Sequence, residues 1–280
     1  MSESVVELPK IAILGAGSMG RAILSGLLKP GVHVDGGIVV TNRSTRSAAS
    51  LTEQGVTSLA TDDDPDANRK AVAGAGIVLV AVKPAMVPDL LAGISDALDP
   101  NAIVVSVAAG VPVTRFEELL PASVAVVRSM PNTPAIVGKA VTGVSAGGRS
   151  TPEQIALVRE LFETVGTVVE VPESQLDALS TISGSGPAYV YFFIEQLTAT
   201  AVSKGFSPEQ AAELVNGTFI GAAALLDASD ATPEQLRIQV TSPKGTTERA
   251  VTVLQDADLK SVFDRATDAA LVRARELAAG

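Results

Sequence analysis

Unbroken runs of branched apolar residues alternate with longer segments of helical period through the first 171 positions of the chain. The runs are "KIAIL" (10–14), "GIVVT" (37–41), "GIVLVAV" (76–82), "AIVVSV" (102–107) and "VAVVRSM" (124–130), with weaker ones at "AVTGVSA" (140–146) and "GTVVEV" (166–171). A strand with one wet face alternates apolar and polar residues. These runs do not, so they predict strands covered on both faces, as in a parallel sheet wound with helices. Beyond residue 171 the pattern is helical, over 174–203, 208–228 and 244–279 with interruptions. "TPEQ" at 151, "SPEQ" at 207 and "TPEQ" at 232 each put a hydroxyl at the N-cap, proline at the first helical position and glutamine at N3, the pattern of a capped helix start. The predicted fold class is α/β: a doubly wound sheet over residues 1–171, then an all-helical domain over 172–280, joined through "VPESQLD" (171–177). Segments such as "GAAALL" and "DAALVRARELAAG" carry small apolar residues that let helices approach closely, so the helical half is expected to dimerise with a second copy of the chain.

Charge and composition then remove function classes. The chain of 280 residues has a net charge of −10, so general attraction to nucleic acid or an anionic membrane is disfavoured and any phosphate must be held locally. There is no cysteine, which excludes disulfides, thiol catalysis and cysteine-ligated metals; no metal is expected. The start, "MSESVVELPK", is acidic and lacks the apolar core of a secretory signal, and no apolar run approaches the roughly 18 residues of a spanning helix. A cytoplasmic location is the expectation. Aromatic residues make up 3% of the chain and Trp is absent, so base-stacking platforms are not expected.

The candidate chemistry begins at "ILGAGSMG" (13–20), which follows the first strand and opens a helix. In a Rossmann-type turn, Gly15 permits the bend, Gly17 the close approach of a pyrophosphate and Gly20 the packing of helix on strand, with Ala16, Ser18 and Met19 completing the cofactor loop. The next strand ends in "TNRST" (41–45), where Asn42, Arg43 and Ser44 suit a 2′-phosphate and no carboxylate competes. Asp35 precedes that strand and falls at the opposite edge of the sheet. NADPH is therefore expected, with NADH as the alternative. Ala81, Val82, Lys83 and Pro84 in "AVKPAMV", Ala108 in "VSVAAGVP" and Asn132 in "SMPNTP" occupy later strand ends, where open α/β sheets bind ligands. The glycines of "SGSGPAYVYFF" (183–193) let the backbone pass close to a ligand or to the first domain.

Hydride transfer to or from an alcohol needs a proton donor or acceptor, commonly His, Lys or Tyr. His33, the only histidine, lies in "PGVHVDGG", which reads as a surface loop, and no lysine occurs between Ser183 and Ala201. An imine nitrogen changes the requirement, because it arrives protonated and needs only a positioned hydroxyl. "SPKGTT" (242–247) delivers Thr246 and Thr247 to a helix start, where unpaired amides also favour a carboxylate. A small cyclic imino acid fits that equipment.

In this order, "GAGSMG", "AVKP", "SVAAGV", "MPNTP", "SGSGPAY" and "LRIQVTSPKGTTERAV" resemble the successive motifs of pyrroline-5-carboxylate reductases, over nearly the whole chain. The resemblance implies NAD(P)H-dependent reduction of 1-pyrroline-5-carboxylate to L-proline, the last step of proline biosynthesis. It implies that Thr247 contacts the substrate nitrogen, and that Ser242 with the amides of Gly245, Thr246 and Thr247 cradles the carboxylate. It further implies that Asn68 in "DANRKAV" contacts the cofactor and that Ala81, Lys83 and Pro84 wall it. The family's helical domain interlocks two subunits, and its dimers assemble into decamers, a pentamer of dimers. One position departs from the pattern. The family often has glycine where this chain has Lys244, and a lysine there is unfavourable if φ is positive.

Overall fold

The structure is a computed structural model that describes residues 5–279. Its strands are β1 (Val6–Leu8), β2 (Ile11–Leu14), β3 (Val32–Val34), β4 (Ile38–Asn42), β5 (Thr57–Ala60), β6 (Ile77–Val80), β7 (Ile103–Ser106), β8 (Ala125–Met130), β9 (Ala140–Ala146) and β10 (Gly166–Glu170). The α-helices are α1 (Ser18–Leu27), α2 (Thr45–Thr52), α3 (Ala67–Val72), α4 (Val87–Ile94), α5 (Val113–Leu119), α6 (Pro152–Glu163), α7 (Glu173–Leu179), α8 (Gly186–Ser203), α9 (Pro208–Asp227), α10 (Pro233–Gln239), α11 (Thr246–Asp256) and α12 (Leu259–Ala279). No helix among the described residues is long and apolar enough to cross a membrane.

The chain divides into two compact units, one running up to Ser185 together with the residues from Leu271 on, the other Gly186–Ala270. The first is built on an eight-stranded sheet in the order β5-β4-β2-β6-β7-β8-β9-β10, parallel throughout except between β8 and β9. Every residue of β2, β4, β6 and β7 is buried, as the unbroken apolar runs predict. Ile11, Ile13, Leu79 and Val105 point to one face, where Ile23 and Leu27 of α1 and Phe162 of α6 cover them. Ala12, Leu14, Val78 and Val104 point to the other, under Val72, Leu91 and Phe116 of α3, α4 and α5. Two faces of branched side chains, each under helices, are what make the sheet doubly wound. The direction of winding reverses at β2, so a crevice opens at the carboxyl ends of β2, β4 and β6.

Several features differ from the sequence reading, β1 among them. His33 lies on β3, paired in parallel with β1 through the Glu7–His33 register, rather than in a loop; it is exposed. β5 was not foreseen, because "TSLA" is a short edge strand with an exposed residue and no apolar run. The helical stretch expected from 174 is broken by a π-helical turn at Ser180–Gly184.

The first compact unit also continues past residue 171, for a physical reason. Leu176 of α7 is buried, and Leu179 packs so closely on β9 that a Cβ on Gly143 would come within 2.6 Å of it. The nearly buried Arg128 of β8 pairs with Glu173 at 3.3 Å and Asp177 at 2.7 Å, and Glu173 also accepts the Val113 N–H at 2.7 Å.

In the second unit, capping boxes start α9 at Ser207 and Gln210 and α10 at Thr232 and Gln235, and a third starts α6 in the first unit at Thr151 and Gln154. What the second unit lacks is a core. α8, α10 and α11 bury no residue, and α9 buries only Ala211 and Val215. Ile220 is 71% exposed and Val253 68%. Helices this apolar and this uncovered need a further surface to pack against.

Candidate active site

The crevice at the β2 switch point is a cleft of about 600 Å³ within the first unit. Nine of the residues expected from the sequence line it: Gly15, Ala16, Gly17, Asn42, Arg43, Asn68, Ala81, Val82 and Lys83. The three glycines do different things. Gly15 has φ +95°, and a Cβ there would meet Val82 Cγ1 at 2.9 Å; on Gly20 it would meet the Gly15 carbonyl oxygen at 2.6 Å. Those two close the turn and seat α1. A Cβ on Gly17 would meet nothing within 4 Å, so its absence leaves room for a ligand rather than for the protein. Gly17 is also the N-cap of α1 and offers no side chain to the helix's free amides, at Ser18, Met19 and Gly20. An open approach to uncapped amides and a positive helix end fits a dinucleotide pyrophosphate.

Other expected residues are placed differently. The Ser44 hydroxyl accepts the Ser47 N–H and caps α2. Pro84 begins the short 3-10 turn Pro84–Met86, and beyond it Ala85, Met86, Asp89 and Leu90 line the cleft instead. The buried Ala108 gives its N–H to Ser106 Oγ at 3.2 Å. Asn132 is held by protein at both ends of its amide: Nδ2 donates to the Ser183 carbonyl and Oδ1 accepts the Val141 N–H, both at 2.9 Å. It ties the end of β8 to the π-helical turn, a form of helix often found at functional sites. Thr61, the first residue after β5, joins the lining and was missed because β5 itself was.

The threonine pair starts α11 in the second unit, as expected. Lys244 has φ +61°, so the position does require the left-handed conformation. The turn is held by the Gly245 N–H donating to the Ser242 carbonyl at 3.0 Å and by the Lys244 N–H donating to Glu248 Oε2 at 2.9 Å. A Cβ on Gly245 would come within 2.9 Å of the Ser242 carbonyl oxygen, which explains the glycine. The Gly245 amide is therefore engaged inside the turn, and the free donors are the Thr246 and Thr247 amides, for Gly245 as N-cap has no side chain to offer them. Glu248, at N3 of α11, thus bonds the amide one residue before the N-cap rather than that of the N-cap itself, which a capping box would use.

A glycine turn opening on uncapped amides at the switch point of a doubly wound sheet, in a segment that matches an NADP oxidoreductase family, marks an oxidoreductase that uses a nicotinamide cofactor. Residues 10–110 match the family described as NADP oxidoreductase, coenzyme F420-dependent, and residues 173–277 match pyrroline-5-carboxylate reductase dimerisation. Among curated relatives, the pyrroline-5-carboxylate reductase of Corynebacterium melassecola is 37% identical over 95% of this chain and 98% of its own. That of Mycobacterium tuberculosis is 38% identical over 96% of each chain. The solved structure of the Coxiella burnetii pyrroline-5-carboxylate reductase superposes with a TM-score of 0.88 at 35% identity, covering 95% of this chain and 97% of that one. The Plasmodium falciparum pyrroline carboxylate reductase, solved with NADP bound, gives 0.78 at 25% identity over 96% and 98%. The chain belongs to the pyrroline-5-carboxylate reductase family, and its coreless helical unit is the family's dimerisation segment, so it forms homo-oligomers.

Proposed function

We infer that this protein reduces 1-pyrroline-5-carboxylate to L-proline, the closing step of proline biosynthesis. The observation that carries the reading is the uncapped helix start at Thr246 and Thr247, which sits on the family's dimerisation segment in a chain that also holds a dinucleotide cleft.

Gly15, Ala16 and Gly17 with the first-turn amides of α1 hold the pyrophosphate, while Asn42, Arg43, Asn68, Ala81, Val82 and Lys83 border the rest of the cofactor. When bound, the reduced nicotinamide supplies the hydride that the imine carbon accepts. The Thr246 and Thr247 amides and the Ser242 hydroxyl hold the substrate carboxylate, favoured by the positive end of α11. The Thr247 hydroxyl accepts a hydrogen bond from the protonated imine nitrogen and so orients the ring. No strong acid is required at that atom, which agrees with a loop that offers hydroxyls and amides.

Arg43 in the cleft and the NADP carried by the Plasmodium relative support NADPH as the cofactor, with NADH as the alternative. A decamer built as a pentamer of dimers, and a cytoplasmic location, complete the proposal. Purified protein given 1-pyrroline-5-carboxylate should oxidise NADPH or NADH and form proline stoichiometrically. Absence of turnover with both cofactors overturns the reading.

A further inference from the structure

The adenosine end of the cleft is bordered by more than the end of β4. The Thr61 N–H donates to the Asn42 carbonyl at 2.8 Å and the Asp62 N–H to the Arg43 carbonyl at 2.9 Å, which lays the acidic turn Asp62–Asp64 along the Asn42–Thr45 segment. Arg43 and Thr61 both line the cleft. The hydroxyl of Thr45, the first residue of α2, donates to Asp63 Oδ1 at 3.4 Å. A carboxylate is thereby seated at the positive end of α2, two residues along from Arg43, where a phosphate on the adenosine ribose would otherwise find a favourable field. Asp64 is neutralised by Lys70 at 2.6 Å, but among the described residues no ion pair forms at Asp62, Asp63 or Arg43. The segment "TNRST" contains no carboxylate of its own; the fold delivers one from the neighbouring strand.

We propose that Asp63 is a specificity-determining residue which restrains binding of the 2′-phosphorylated dinucleotide, so that cofactor choice is set by Arg43 and Asp63 together. The inference rests on reading the cleft as a dinucleotide site and is independent of the imino-acid reaction. A 2′-phosphate brings up to two negative charges towards Asp63, whereas a 2′-hydroxyl brings none. In a water-exposed site and within a Debye length, removing the Asp63 charge should favour the phosphate about five-fold at low salt, and less as salt screens it.

The test is calorimetric titration of adenosine 2′,5′-bisphosphate and of AMP into the wild type, Asp63→Asn and Asp63→Glu, at low and high ionic strength. Asp63→Asn should shift the ratio of the two Kd values about five-fold towards the bisphosphate at low salt. Asp63→Glu should restore the wild-type ratio, and high salt should shrink the difference. A ratio unchanged in Asp63→Asn, with both fragments bound, overturns the role of Asp63 alone. A wild type that binds neither fragment overturns the dinucleotide reading and this inference with it.

Discussion

Lys244 occupies a backbone conformation that lysine disfavours, and its replacement by glycine separates what the residue costs from what it supplies. At φ +61° its Cβ crowds the following carbonyl, at a cost of about 1 to 2 kcal/mol for a non-glycine residue. Lys244→Gly removes that crowding but loosens the unfolded chain, which takes back about 0.4 to 1 kcal/mol. The net gain is about 0.5 to 1 kcal/mol, or roughly 1 to 3 °C in Tm for a unit of this size. The Glu248 bond to the residue 244 N–H needs no side chain at 244 and should survive. The same substitution removes an exposed ammonium beside the uncapped amides of Thr246 and Thr247, so KM for the imino acid should rise a few-fold at low salt and return towards wild type at high salt. Melting at one fixed protein concentration, since association contributes to stability, together with KM at two ionic strengths, reads both effects. A Tm that falls in Lys244→Gly would refute the strained turn.

Gly17 and Gly20 should respond differently to alanine. Gly17→Ala should leave Tm unchanged and raise the cofactor KM at least about ten-fold, because the added methyl enters only the ligand's space. Gly20→Ala should lower stability by about 1 to 3 kcal/mol as well, since its methyl would lie 2.6 Å from the Gly15 carbonyl oxygen. Equal melting temperatures for the two variants would contradict this division. Thr142→Val should raise stability by roughly 1 to 2 kcal/mol in a urea titration, because the Thr142 hydroxyl is buried on β9 without a partner among the described residues and valine keeps the shape. A lower urea midpoint would mean that the hydroxyl is satisfied after all.

Much of the sheet was readable because its central strands are buried on both faces, so "IVLV" of β6 and "IVVS" of β7 stand out as runs. β5, an edge strand, leaves no such mark, and with it the sequence reading lost Thr61 and the acidic turn that follows. The glycine turn was readable as a motif, yet only the space around each glycine separates the role of Gly17 from that of Gly20. Asn132 illustrates the limit of residue type as evidence. An amide at a strand end suits a cofactor, but its partners, the Ser183 carbonyl and the Val141 N–H, come from segments that only the fold brings near. At the loop 242–247 the helix start at Thr246 was visible in the sequence, whereas the left-handed φ of Lys244 and the tether to Glu248 are properties of the folded turn.

The central claim is that Thr247 holds the imine nitrogen during reduction, and steady-state proline formation by Thr247→Val tests it most directly. Valine keeps the shape of an exposed residue and removes only the hydroxyl, so Tm should match the wild type. With 1-pyrroline-5-carboxylate and saturating cofactor, kcat should fall at least about ten-fold, the loss of one hydrogen bond to a charged group. A variant that melts like the wild type and forms proline at the wild-type rate would contradict the account.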